Sequence, residues 1–277
     1  MRIDKPNSRV YVRQSWLNDM AICPERARYG LTRPEFRTST DATIIGTSLH
    51  TGIESVLGDG VNYDGMLEVV REQYDVLASQ PHQSTNIDAE SIPTYLESMS
   101  KSFYDSILPT VKVGGKIEHK FQAPLGVVVN DMAVWLEGTM DYVDPDGIIW
   151  DWKTSSRAYN IKDKQKSSIQ ASVYASAATA LQLSPQYPVD FRYGVMVRNL
   201  KPKAQVVSLV RTEAHNEWLK RFVLGALNTA LTVGVDNNWF MNDSSNLCSS
   251  SWCSYWSICK GAFVSDSDNE LPDQLEV

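Results

Sequence analysis

The sequence predicts an α/β fold, a central mixed β-sheet flanked by helices. Three observations predict it. Segments that alternate apolar and polar residues recur at 116–122, 125–134, 134–153, 189–198 and 203–211. Stretches with helical periodicity lie around and between them, at 43–57, 163–183 and 213–234. The two patterns are interspersed, as they are when helices cover the faces of a sheet. A chain of 277 residues is long enough to bury such a core.

Composition narrows the function classes. Hydrophobic content of 43% and charged content of 21% are those of a globular domain. There is no 18-residue apolar run and no charged-then-apolar leader, so no membrane span or signal peptide is expected, and the cytoplasm is the expected location. A net charge of −7 argues against an overall basic coat for nucleic acid, but not against a local basic groove. Four cysteines in this length make no disulfide scaffold.

In chain order, residues 1–8 are polar and expected to be loose. Ser15 is a candidate N-cap for a helix over about 16–23, stopped by Pro24. Cys23 alone reads as a buried apolar thiol. Residues 43–57 read as a helix from near Gly46, with Leu49, Ile53, Val56 and Leu57 as its apolar stripe. His50 and Glu54 share a face beside that stripe. A lone histidine there is more often a hydrogen-bonded core residue than a ligand. Helical patterns at 66–79 and 91–109, separated by polar Gln80 to Asp88, suggest a helical insertion over about 58–112 that could wall a channel. Residues 116–122 and 125–134 read as two strands, with Glu118 a candidate inward acid and a turn near Asn130-Asp131.

Residues 134–153 carry the chemistry. They read as two strands joined by Asp144-Pro145-Asp146-Gly147. Proline presets φ for the second position of a type I turn, and glycine supplies the left-handed residue that follows. In that register Asp144 pairs with Ile148, and counting back sets Asp141 opposite Asp151. Facing carboxylates repel. A hard divalent cation between them removes the conflict, and carboxylate oxygen is what Mg²⁺ or Mn²⁺ prefers. Lys153 projects from the same face as Asp151, while Met140, Tyr142, Trp150 and Trp152 project to the core side. Two acids and a lysine on one face suggest a metal-assisted phosphodiester hydrolase. Taken alone, the hairpin is explained at least as well by a solvated face with a surface ion pair.

The helix at 163–183 is rich in alanine and serine, and Gln170 and Tyr174 share one of its faces. The amphipathic helix at 213–234, with Trp218, Leu219, Phe222 and Val223, reads as core. Cys248, Cys253 and Cys259 fall within twelve residues. With Cys23 they make a four-thiolate set if the termini meet, able to hold zinc or an iron–sulfur cluster. Trp252, Tyr255 and Trp256 could shield it from water. The acidic tail 264–277 is expected to be disordered.

Together these residues resemble the RecB-like branch of the PD-(D/E)XK nuclease superfamily, and within it the iron–sulfur members, the CRISPR-adaptation exonucleases and the AddB nuclease domain. Cys23-Pro-Glu-Arg resembles the first cluster cysteine, and Gly46-Thr-Ser-Leu-His50 the helical His motif. Glu137-Gly-Thr-Met-Asp141 is similar to Gly-x-x-Asp, and Asp151-Trp-Lys153 to Asp/Glu-x-Lys. Gln170-x-x-x-Tyr174 resembles the Gln-x-x-x-Tyr box, and the three late cysteines the closing triplet. The Cys248–Cys253 gap is longer than in many members.

The resemblance implies a restriction-endonuclease-like core in a single nuclease domain over 1–263. A [4Fe–4S] cluster on Cys23, Cys248, Cys253 and Cys259 would staple segments of about 15–30 and 246–261. It implies Mg²⁺ or Mn²⁺ held by His50, Asp141, Asp151 and the Trp152 carbonyl, the imidazole favouring Mn²⁺. Lys153 would orient or deprotonate the attacking water, Gln170 and Tyr174 would position water or phosphate, and Glu118 would be accessory. The implied activity is exonucleolytic cleavage of DNA at single-stranded ends, by the chain alone, as a homo-oligomer or in a nuclease complex. Arg26, Arg28, Arg157, Lys162, Lys164 and Lys166 are candidate contacts to the DNA backbone, with ordinary surface charge as the alternative for each. The rival readings are a non-catalytic DNA-binding or assembly protein and a zinc-stapled interaction protein.

Overall fold

The computed structural model describes residues 1–85, 87–184 and 186–263, so the expected acidic tail lies outside the described residues. The chain divides into two compact units, Met1–Gln14 with Ser39–Leu224, and Ser15–Thr38 with Gly225–Val277.

The first unit is built on a mixed seven-stranded sheet. Its strands are β1 (Arg2–Asp4), β2 (Arg9–Arg13), β3 (Lys116–Val129), β4 (Met132–Val143), β5 (Ile149–Ser155), β6 (Val189–Val197) and β7 (Ala204–Arg211). The spatial order is β1-β2-β4-β5-β6-β7, with β3 paired to β4. The β2–β4 and β5–β6 pairs are parallel and the others antiparallel. One edge of β4 is taken by β3 along its whole length. The other edge is shared, by β2 against residues 133–137 and by β5 against 142–143. Residues 138–141, which end in Asp141, therefore lie where β2 and β5 part.

Local chemistry accounts for the hairpins. The β3–β4 turn is Asn130-Asp131, both with positive φ (45° and 60°), a conformation these two residue types tolerate. In the β4–β5 turn Asp144 N–H donates to Ile148 O at 3.0 Å and Gly147 has φ +81°. The Asp144 carboxylate accepts from the N–H groups of Asp146 and Ile148 at 2.9 Å. This is the turn the sequence predicts.

Other elements differ from expectation. Residues 1–8 are not loose, because β1 and β2 form a hairpin on the sheet. The strands expected at 116–122 and 125–134 are a bulged β3 and the start of β4, since Pro124 has no N–H for the ladder and Gly126 (φ +76°) takes the bend. The helix expected at 163–183 is two, α6 (Ile161–Lys166) and α7 (Ile169–Ala180) in the numbering used below. It breaks at Ser167-Ser168, where Ser168 Oγ caps the Ala171 N–H at 3.1 Å.

Helices α3 (Asp41–Asp59), α4 (Tyr63–Ala78) and α5 (Ile92–Ser102) cover one face of the sheet. Thr40 caps α3, which begins five residues before the start expected near Gly46. Ile45, Leu49 and Ile53 of α3 pack with Met66, Val70, Leu96 and Met99, and with Tyr142, Trp150 and Trp152 of the sheet, in one buried cluster. The inserted helices α4 and α5 therefore share the core of the first unit. Helix α7 packs on β3, β4, β6 and β7, with Ala171–Ala178 all buried, as its small residues allow.

Gly194 is a tight point, since a Cβ there would meet the Trp152 ring at 2.7 Å. Gly194→Ala is expected to destabilise the protein by about 1–3 kcal/mol through overpacking, read as a lower urea midpoint.

In α8 (Glu213–Val233), Leu219, Val223, Ala226 and Leu227 are buried. Trp218, expected in the core, is half-exposed and stacks on Phe222 at 5.3 Å. The second unit holds α1 (Gln14–Ile22) from Ser15 onward, and α2 (Pro24–Thr32), a further helix that begins at the proline expected to stop the first. Ser15 lies inside α1 rather than capping it. No helix among the described residues is long and apolar enough to cross a membrane.

Candidate active site

The fork beside β4 gathers the predicted acids. The β3–β4 register pairs Ile117 with Tyr142 and His119 with Met140, so Glu118 stands opposite Asp141. The β4–β5 register pairs Tyr142 with Trp150, and one step further sets Asp141 against Asp151. The ladder stops before that step. The Trp152 N–H is instead taken by Asp141 Oδ2 at 2.8 Å. Three carboxylates thus form a row across three neighbouring strands.

Helix α3 brings His50 to this row. Its Nε2 lies 2.8 Å from the Trp152 carbonyl and its Nδ1 3.7 Å from Asp141 Oδ2. Burial lowers the His50 pKa, which favours the neutral ring. A neutral ring that donates Nε2–H to the carbonyl turns its Nδ1 lone pair toward the Asp141 carboxylate. Two acceptors facing each other call for a cation. Ligand atoms of His50, Glu118 and Asp141 lie within 4.8 Å of one another, a grouping of three that no other His, Cys, Asp or Glu set among the described residues matches. Glu118 has φ +44°, an uncommon conformation for a non-glycine residue and one that clusters at functional sites. The Trp152 carbonyl, expected as a ligand, accepts from His50 here.

Asp151 is the buried anchor, 1% exposed. Its Oδ1 accepts from Gln170 Nε2 at 2.6 Å, and its Oδ2 pairs with Lys153 Nζ at 2.5 Å. Gln170 Oε1 in turn accepts from Tyr193 Oη at 3.4 Å, and Gln170 Nε2 lies 3.5 Å from Tyr174 Oη. Gln170 thus positions Asp151, and Tyr174 stands next in line. Gln170→Leu is expected to cost 10- to 100-fold in cation affinity, read by titrating Mn²⁺.

The electrostatics are those of a basin short of positive charge. Burial pushes Asp141 up to about 6, with Lys153 opposing. Burial also pushes Asp151 up to about 6, against the pull of Lys153. Burial disfavours the Lys153 charge, but Asp151 and Asp141 outweigh it, so its pKa rises. In the cation-free site Lys153 is therefore held as an ammonium beside Asp151. Glu54, one turn beyond His50, is raised by burial and acts electrostatically on both Asp141 and Glu118. The i, i+4 spacing of His50 and Glu54 was the signal for it, and it carried no role in the sequence reading. Tyr193, the cross-strand neighbour of Asp151, had no sequence signal at all.

In the second unit all four cysteines line one cavity of ≈ 400 Å³. Cys23 precedes α2 as its N-cap, and its sulfur accepts from the Asn242 N–H at 3.5 Å. Cys259 Sγ touches Met241 Sδ at 3.4 Å. Burial raises the pKa of Cys248 and Cys259, so a cation would be needed to hold them as thiolates. Tyr255 is buried and stacks on Tyr29, but Trp252 is largely exposed and shields nothing. Arg26 and Arg28, expected as DNA contacts, are used within this unit. Arg26 pairs with Asp19 at 2.8 Å, and buried Arg28 with Glu25 at 2.5 Å.

Residues 14–260 match the family model described as the PD-(D/E)XK nuclease superfamily. The chain belongs to that superfamily. No curated protein matches it. The fold of this PD-(D/E)XK chain is similar to the crystal structure of a "Putative exonuclease" from Eubacterium rectale, with TM-score 0.56 and 13% identity over 90% of this chain and 92% of that one. A second structure, titled SSO0001, aligns at 13% identity over 82% and 80% with TM-score 0.37. The mixed sheet flanked by helices is consistent with the restriction-endonuclease-like core of the superfamily.

The four cysteines of this PD-(D/E)XK chain also fit a metal group in their donor chemistry. Thiolates around one tetrahedral zinc, at Zn–S of about 2.3 Å, sit roughly 3.8 Å apart. Among the described residues no three cysteine sulfurs lie mutually within 4.8 Å. That spacing is looser than a closed tetrahedral zinc site requires.

Proposed function

We propose that this protein is a divalent-cation-dependent DNA exonuclease of the RecB-like branch, acting on single-stranded ends. The observation that carries the reading is the facing pair of acceptors, His50 Nδ1 and Asp141 Oδ2, with Glu118 beside them and the Asp151–Lys153 pair adjacent. His50, Asp141 and Glu118 would hold the cation, and Asp151 would join them from its hydrogen bond with Gln170. The imidazole favours Mn²⁺ over Mg²⁺. When bound, the cation polarises a phosphoryl oxygen and lowers the pKa of a water. Lys153 would orient the attacking water and offset charge that builds on the phosphorus centre. Tyr174 and Gln170 keep the buried side of the site in register. The exonuclease mode is supported by the name of the structural neighbour.

We propose further that Cys23, Cys248, Cys253 and Cys259 bind a structural [4Fe–4S] cluster. The reading is supported by the resemblance of Cys23-Pro-Glu-Arg and of the closing cysteine triplet to the iron–sulfur members, and by thiols of which no three lie mutually within 4.8 Å. End-labelled single- and double-stranded DNA, digested with Mn²⁺, Mg²⁺ or chelator, tests the first proposal. Stepwise loss of nucleotides from single strands with Mn²⁺ is expected, and no cleavage with any cation would end the nuclease reading. Anaerobically purified protein should be brown and bleach with dithionite. Colourless protein with stoichiometric zinc would replace the cluster.

A further inference from the structure

Lys164 differs from the other basic residues of the first unit. It sits half-buried on α6, with its ammonium 4.3 Å from the Tyr159 ring centroid and 5.8 Å from that of Tyr193. Tyr193 is the cross-strand neighbour of Asp151, so this ammonium stands one side chain from the Asp151–Lys153 pair. Among the described residues it makes no ion pair with a carboxylate; Asp151 and Asp163 act on it only from a distance.

Its surroundings are preset. The two tyrosine rings meet edge to face at 5.7 Å and 81°. Tyr193 Oη is bonded to Ser168 Oγ at 2.7 Å. The backbone of Tyr159 is held on both sides by the Gln205 amide, at 2.8 and 3.1 Å. Burial, and then the like charge of Lys153, push the Lys164 pKa down, so this cation is held at a cost. A side chain needed only to fill space there would be apolar. Ring faces fix the direction of an ammonium while leaving its N–H donors free for an anion.

We infer that Lys164, boxed by Tyr159 and Tyr193, receives the nucleotide phosphate that adjoins the scissile one. Lys153 serves the phosphate being cut, and Lys164 the next along the strand. This rests on the nuclease reading, and the two can fail separately.

The test is the affinity of a fluorescein-labelled single-stranded oligonucleotide, by anisotropy across a salt series, with Ca²⁺ in place of Mn²⁺. Lys164→Met is expected to weaken binding about tenfold. It should also make the slope of log affinity against log salt shallower by about 0.7, the loss of one phosphate contact on a single strand. Lys164→Arg keeps the charge and is expected to keep the slope. Lys201→Met removes an exposed charge in the loop before β7 and is expected to change neither quantity. A wild-type slope in Lys164→Met, a lost slope in Lys164→Arg, or an equal loss in Lys201→Met would each overturn the subsite. Cleavage by the wild type together with any of these sinks the subsite alone. A wild type that binds but never cuts sinks the nuclease reading and with it the placement beside a scissile phosphate, while the Lys164→Met slope still decides whether Lys164 meets a phosphate; one that does neither sinks both.

Discussion

Asp141→Asn is expected to lower Mn²⁺-dependent DNA cleavage by more than ~100-fold, a loss beyond that for a residue that only supports a ligand. The fold should survive it. Asp141 is a mostly buried carboxylate whose pKa burial has raised, so its charge is a liability to the native state. The melting temperature of Asp141→Asn should therefore equal or exceed that of the wild type. Lys153→Met should behave differently. It leaves Asp151, 1% exposed, without its counter-ion. Stability should fall by about 3 kcal/mol, the low end for breaking a buried pair, since the Lys153 side chain is still 31% exposed. Activity should be lost as well. Full cleavage by Asp141→Asn, or an unshifted denaturation midpoint in Lys153→Met, would contradict this account of the site.

The second large effect links pH to the cation. Asp141 and Asp151 both titrate near 6 in the folded chain and near 3.8 when unfolded. Between those values the native state holds protons that the unfolded chain has released. Their contribution to stability is full below about pH 4 and is lost as pH rises through about 6. Without a divalent cation, this pair should thus make the protein less stable at pH 7.5 than at pH 5. A cation binds the ionised carboxylates and competes with those protons. The rise in melting temperature on adding millimolar Mn²⁺ should be small at pH 5 and much larger at pH 7.5. Equal shifts at both values would mean that the cation binds elsewhere.

What could be read in the sequence was what is settled locally. The β4–β5 turn is specified by Asp144-Pro145-Asp146-Gly147, and turn type sets register, so the Asp141–Asp151 juxtaposition could be counted out. Gln170 and Tyr174 share a helix face whatever the helix packs on. Glu118 was harder to place. Beyond the Asn130-Asp131 turn, Val128 pairs with Ala133 but Pro124 with Trp135, so β3 carries three residues where β4 carries one. That bulge slides Glu118 by two positions, from opposite Val143 to opposite Asp141. Nothing in the residue pattern announces its size. Strands β1 and β2 were missed for a different reason. A five-residue strand whose parallel partner lies far along the chain leaves no turn and no long periodicity to detect. The ion pairs of Arg26 and Arg28 were not legible because Asp19 and Glu25 become their partners only once α1 and α2 form.

The divided edge of β4 has a consequence for how this chain is made. Arg13 and Glu137, joined at the end of the β2 contact, are 124 positions apart. Synthesis runs from the N-terminus, so residues 9–13 must remain without their strand partner until most of the sheet has left the ribosome. Until then β2, with Val10, Tyr11 and Val12 uncovered, presents a bare, largely apolar border that another copy could pair with. Truncating the first dozen residues would spare every candidate catalytic group and still favour aggregation over assembly.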